Sequence, residues 1–80
     1  MSEKEIYNAL TSVFREFFDD DSIHLRPETT ANDIDAWDSF ANIGLMLAVE
    51  RNFSIRLTTT EIDNLICVAD LARTIQSKRI

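Results

Sequence analysis

Asp33-Ile34-Asp35-Ala36-Trp37-Asp38-Ser39-Phe40 joins an acidic, polar loop to an apolar helix. Asp38 is a good N-cap, because its carboxylate accepts from the first free N–H groups of a helix. Ser39 then falls in the first helical turn. There the backbone offers unpaired N–H groups and the positive end of the helix dipole. Such a place tolerates a phosphate on a hydroxyl. Ser39 is therefore well set to carry a phosphate-linked group, and nothing else in the chain looks equipped for chemistry.

Working outward, the chain has 80 residues, which predicts one domain over 1–80 with a small core. It holds one Gly and one Pro and shows no two-residue alternation of strand type, so helices are expected. The formal charge is −6, which argues against nucleic acid. The charge is uneven. Residues 1–38 carry ten acids and three bases (−7), and residues 39–80 four acids and five bases (+1). A basic or mixed-charge partner fits this better than an anionic membrane. Cys67 is alone, which excludes an internal disulfide and a Cys-based zinc site. Met1-Ser2-Glu3-Lys4-Glu5 does not read as a signal peptide, and no apolar run reaches membrane-spanning length. The expected location is cytoplasmic, without membrane insertion.

Ile6, Leu10, Val13, Phe14 and Phe17 form one stripe, predicting a first helix over about Glu3–Phe18. Ser2 and Glu5 stand at capping-box spacing before it. A long loop, about Asp19–Asp38, follows, with Ile23, Leu25 and Ile34 placed to pin it to the core. The second helix is predicted over about Ser39–Asn52, with Phe53 and Ile55 anchoring its exit. A short helix is expected near Thr60–Leu65, with Thr58 and Glu61 at capping-box spacing. The last helix is expected over about Val68–Lys78. Val68, Leu71, Ala72 and Ile75 point inward, and Arg73, Lys78 and Arg79 suit its C-terminal end. The fold class is all-α: a small four-helix bundle of three main helices and one short one, with a long first connection.

The second helix is apolar on too many sides. Leu45, Met46, Val49 and Phe53 suffice for a core face, which leaves Phe40, Ala41, Ile43, Gly44, Leu47 and Ala48 pointing elsewhere. A chain this short can hardly surround its own helix, so part of this surface is expected to dock a partner. The bland alternative is that the 19–38 loop folds over it.

Asp38-Ser39-Phe40, the helix behind it, Glu50 with Phe53, and Val68-x-x-Leu71-x-x-x-Ile75 together resemble the acyl carrier protein family. The approach Pro27-Glu28-Thr29-Thr30-Ala31 leading to Trp37-Asp38-Ser39 does so too. The resemblance implies that Ser39 is the attachment point for 4′-phosphopantetheine. A separate phosphopantetheinyl transferase would supply the group from coenzyme A, and Asp38 would belong to the surface which that enzyme reads. The arm's thiol would hold an acyl group as a thioester. The chain itself would be no enzyme, with no catalytic residue of its own. By the same resemblance Met46 lines a space between the second and third helices, with Ile62 and Leu65 as its opposite wall. Leu45 and Val49 extend that apolar lining.

Fatty-acid-synthesis carriers usually have Leu after the serine, and acids one and four residues beyond that Leu face basic partner enzymes. Here the three places hold Phe40, Ala41 and Gly44. That departure implies a specialised carrier whose partner is a dedicated acyl ligase, acyltransferase or ketosynthase; a monomer is expected. Asp-Ser-Phe also occurs in D-alanyl carriers, so an aminoacyl or peptidyl cargo stays open, as does an unmodified helical adaptor of the same fold. Cys67 stands where the family often caps the last helix with Thr.

Other readings fail on chemistry. Asp33 and Asp35 fit the start of a calcium loop, but Trp37, Asp38 and Gly44 occupy places that such a loop needs otherwise. A serine hydrolase fails because the chain has one His, no Gly-x-Ser-x-Gly elbow and too little structure to build an oxyanion hole. Asp19-Asp20-Asp21 reads as a solvated charge run and Cys67 as a small core residue. No metal is expected. Trp37 reads as the packing anchor of the loop.

Overall fold

The computed structural model describes residues 2–78. Arg79, read above as suiting the end of the last helix, lies outside them. Four α-helices follow one another: α1 (Glu3–Phe18), α2 (Ser39–Phe53), α3 (Thr59–Asp63) and α4 (Val68–Lys78). A single 3₁₀ turn, Ala31–Asp33, lies in the long connection and was not expected from the sequence. It is closed by Asp33, whose carboxylate accepts from the Thr30 N–H at 2.9 Å.

The two strongest periodicities became the two most regular helices. α1 buries Ile6, Leu10, Val13 and Phe14, and its Ser2–Glu5 capping box is formed in both directions. α4 buries Val68, Leu71, Ala72 and Ile75. These two stripes and Leu45, Met46, Val49 and Phe53 of α2 make one core, with Ile23 of the long loop. Leu25, Ile34 and Trp37 pack against it. Phe17 departs from its stripe: it is 38% exposed. α1 and α2 end on residues in the left-handed region, Asp19 (φ 52°) and Ser54 (φ 55°), a conformation that usually takes glycine. The only glycine of the chain, Gly44, instead sits inside α2. A Cβ there would come within 3.0 Å of the Phe17 ring, so the missing side chain lets Phe17 lie over α2.

The short helix runs one residue earlier than expected at its start and stops two residues sooner. Thr58 and Glu61 close its capping box. The loop between α2 and α3 is held by Glu50, whose Oε2 accepts from the Leu57 N–H at 2.7 Å.

Cys67 precedes α4 without a capping oxygen, and the helix start is satisfied by other means. The Val68 N–H donates to the Thr29 carbonyl at 2.8 Å and the Ala69 N–H to the Pro27 carbonyl at 2.9 Å. Asp70 accepts from the N–H groups of Ile66 and Cys67. The long loop thus caps α4, which ties residues 27–29 to the far end of the chain.

This arrangement has a pH consequence. The Ile66 N–H, then the Arg73 guanidinium, hold the Asp70 carboxyl below the usual carboxylate range, against an opposing desolvation. A depressed folded pKa adds stability that is complete above the unfolded value and is lost as pH falls through the folded one. Asp70→Ala is therefore expected to melt a few degrees below wild type at neutral pH. The gap should close on acidification below the ordinary aspartate range. Thermal melts by circular dichroism at both pH values check this; a gap independent of pH contradicts it.

Candidate functional site

The turn before α2 sets the site. Asp38 is the N-cap, with extended backbone, and its Oδ1 accepts from the Ala41 N–H at 2.7 Å. The Asp38 carbonyl accepts from the Asn42 N–H at 2.9 Å. These bonds satisfy the third and fourth N–H groups of the helix start. The first two, of Ser39 and Phe40, have no partner among the described residues. Ser39 is exposed, and no described residue hydrogen-bonds its hydroxyl. The serine therefore stands free at the positive end of a fifteen-residue helix.

Trp37 stiffens the approach. Its ring meets Phe14 edge to face, with centroids 5.0 Å apart and planes at 84°. Its indole N–H donates to Asn42 Oδ1 at 2.8 Å. The sequence reading of Trp37 as a packing anchor agrees with the ring contact. The bond to Asn42 was not anticipated; its only sequence signal is a polar residue one turn after Ser39.

Beside Ser39 opens a cavity of about 580 Å³. Ser39, Asn42 and Met46 stand at spacings of three and four and share one stripe of α2 along it. Ile62 and Leu65 form part of the facing wall, and the 31–37 segment closes another side. Of the five residues expected to line an apolar space, Met46, Ile62 and Leu65 are on this wall. Leu45 and Val49 are not: both are fully buried in the core. They form the next stripe round the helix, turned away from Ser39 by the 3.6-residue repeat. Cys67, read as a core residue, is half-buried and lines the cavity, because residues 66 and 67 leave α3 along its rim. No cationic side chain is among the cavity's lining residues.

The remaining predicted residues lie on the outer side of α2. Phe40 is 86% exposed, Ile43 66% and Leu47 56%. Ala41 and Gly44 are half-exposed between them. The 19–38 loop does not cover this face. Among the described residues no helix is long and apolar enough to cross a membrane.

Fold and site together define a small helical bundle that presents a free serine at the head of its second helix. The chain is similar to a holo acyl carrier protein from Geobacter metallireducens solved by solution NMR. The two share 46% sequence identity and superpose with a TM-score of 0.85, over 90% of this chain and 83% of the other. The chain belongs to the acyl carrier protein family. No protein-family model matches it, and neither does any curated protein.

Proposed function

We propose that the chain carries an acyl intermediate on a 4′-phosphopantetheine arm attached to Ser39. The observation that carries this reading is the free, exposed Ser39 hydroxyl at the head of α2, beside a cavity. The resemblance to a holo carrier protein supports it. The surroundings fit such a group. The Ser39 and Phe40 N–H groups are available to a phosphodiester, and the cavity offers polar walls near Ser39 and apolar ones at Met46, Ile62 and Leu65. The arm supplies the thiol that holds the cargo as a thioester. The protein supplies attachment, orientation and shelter.

Attachment is the work of a phosphopantetheinyl transferase. A bond forms between Ser39 Oγ and the phosphorus that bears the pantetheine. The pyrophosphate bond of coenzyme A breaks, the adenosine bisphosphate leaves, and the serine proton passes to the transferase. Nothing in this chain need act as the base. Asp38 holds the helix start in shape and lies on the surface which the transferase must approach.

The apolar outer face of α2 supports a specialised role. Phe40, Ala41, Ile43, Gly44 and Leu47 form its candidate contact surface. We assign it to a dedicated acyl ligase, acyltransferase or ketosynthase in a specialised lipid or secondary-metabolite pathway, served by a cytoplasmic monomer.

Intact-protein mass spectrometry after incubation with coenzyme A and a broad-specificity transferase tests attachment. Wild type is expected to gain one phosphopantetheinyl group and Ser39→Ala none. Unchanged wild-type mass with several such transferases would favour an unmodified adaptor.

A further inference from the structure

Asn42 stands one helical turn after Ser39 on the cavity stripe of α2. Side chains of a helix lean toward its N-terminus, so a residue three positions on covers the turn that bears Ser39. Trp37 fixes that lean, because its indole N–H donates to Asn42 Oδ1 at 2.8 Å. Phe14, edge-on at 5.0 Å, in turn holds the indole. A carboxamide has an accepting oxygen and a donating NH₂. With the oxygen engaged by Trp37, the NH₂ is the end left over. No described residue accepts from it.

The charges around this NH₂ give it a use. Asp35 and Asp38 line the same cavity, and no Lys, Arg or His does. A phosphodiester on Ser39 would therefore meet neutral donors alone: the Ser39 and Phe40 N–H groups and whatever side chain reaches it. Asn32 and Asn42 are the lining side chains with a carboxamide donor and no negative charge, and of the two Asn42 is the one on the stripe of α2 that bears Ser39.

Resting on the reading of Ser39 as the attachment point, the geometry points to Asn42 as a positioning residue for the arm: its carboxamide NH₂ donates to a phosphodiester oxygen on Ser39. Trp37 acts through it by holding the carboxamide in that orientation. The contact lies at the root of the arm, so it persists whatever path the rest of the arm takes.

The test compares the full chain before and after loading by a transferase with coenzyme A. Mass is read first. In ¹H–¹⁵N spectra the Asn42 side-chain NH₂ is expected to move downfield on loading, while the Trp37 indole N–H keeps its hydrogen-bonded position. The ³¹P resonance of loaded Asn42→Ala is expected to differ from that of loaded wild type. Trp37→Phe, which keeps the carboxamide but frees it, should fall between them. A loaded wild type whose Asn42 NH₂ resonances coincide with those of the unloaded protein overturns the proposal. So does a ³¹P resonance indifferent to Asn42→Ala. If that variant does not fold, the wild-type comparison decides alone. Failure to gain mass overturns the attachment reading and this one with it; a mass gain with unmoved resonances overturns this one only.

Discussion

Phe14→Ala is expected to remove a large share of the protein's stability at neutral pH and room temperature. Phe14 is fully buried and among the largest side chains of the core. It touches Phe18, with centroids 6.1 Å apart, as well as Trp37. Truncating a buried Phe costs roughly 3–5 kcal/mol, because the transfer energy is lost and a cavity remains. At roughly 0.05–0.15 kcal/mol per residue, an 80-residue domain has about 4–12 kcal/mol in all. The loss also reaches the site, since Trp37 loses the ring it leans on and Asn42 loses the partner that orients it. Urea unfolding followed by Trp37 fluorescence measures the effect. Phe14→Leu keeps most of the volume and should cost far less. A loss below about 1 kcal/mol for Phe14→Ala would mean that α1 and the loop are not coupled through this ring.

What the sequence made legible follows the reach of each interaction. The buried sets of α1 and α4 were readable because helix periodicity is local: Ile6, Leu10, Val13 and Phe14, and Val68, Leu71, Ala72 and Ile75, recur at helical spacing. The Ser2–Glu5 and Thr58–Glu61 boxes were readable for the same reason. The capping of α4 by the carbonyls of Thr29 and Pro27 was not, because it joins residues some forty positions apart. Phe17 obeys the periodicity of α1 and yet lies half out of the core. Its ring lies against Gly44 of α2 instead, a contact that only the packing of α1 on α2 reveals. Leu45 and Val49 were assigned to the cavity because apolar character alone cannot tell one stripe of an all-apolar helix from the next. Cys67 was assigned to the core by residue type, whereas its place at the end of the α3–α4 connection puts it on the cavity wall.

The outer face of α2 leads to the other large effect. Phe40→Ala is expected to weaken the complex with the proposed dedicated partner by roughly thirtyfold, about 2 kcal/mol, the size of an interface hot spot. The fold should not suffer, because Phe40 is 86% exposed and lies outside the core. Its melting point serves as the control. The face poses a second question that a single truncation does not answer, namely whether missing acids keep general fatty acid synthase enzymes away. Charge complementarity governs encounter and selectivity more than final affinity. Ala41→Asp combined with Gly44→Glu should therefore raise kcat/KM severalfold with a general ketosynthase or malonyl transferase that reads acids on this helix. The Gly44 change carries its own structural cost, since the new Cβ meets Cε1 and Cζ of Phe17 at 3.0 Å. Those atoms are the far end of a half-exposed ring, which can swing outward. The gain in helix propensity on replacing Gly, up to about 1 kcal/mol, offsets the move. Gly44→Ala separates the two effects, because it displaces Phe17 without adding charge. If Gly44→Ala alone reproduces the gain, the displaced ring and not the charge is responsible. If the wild type already serves the general enzyme as well as a housekeeping carrier does, its apolar helix is no barrier and the specialised-partner reading is wrong.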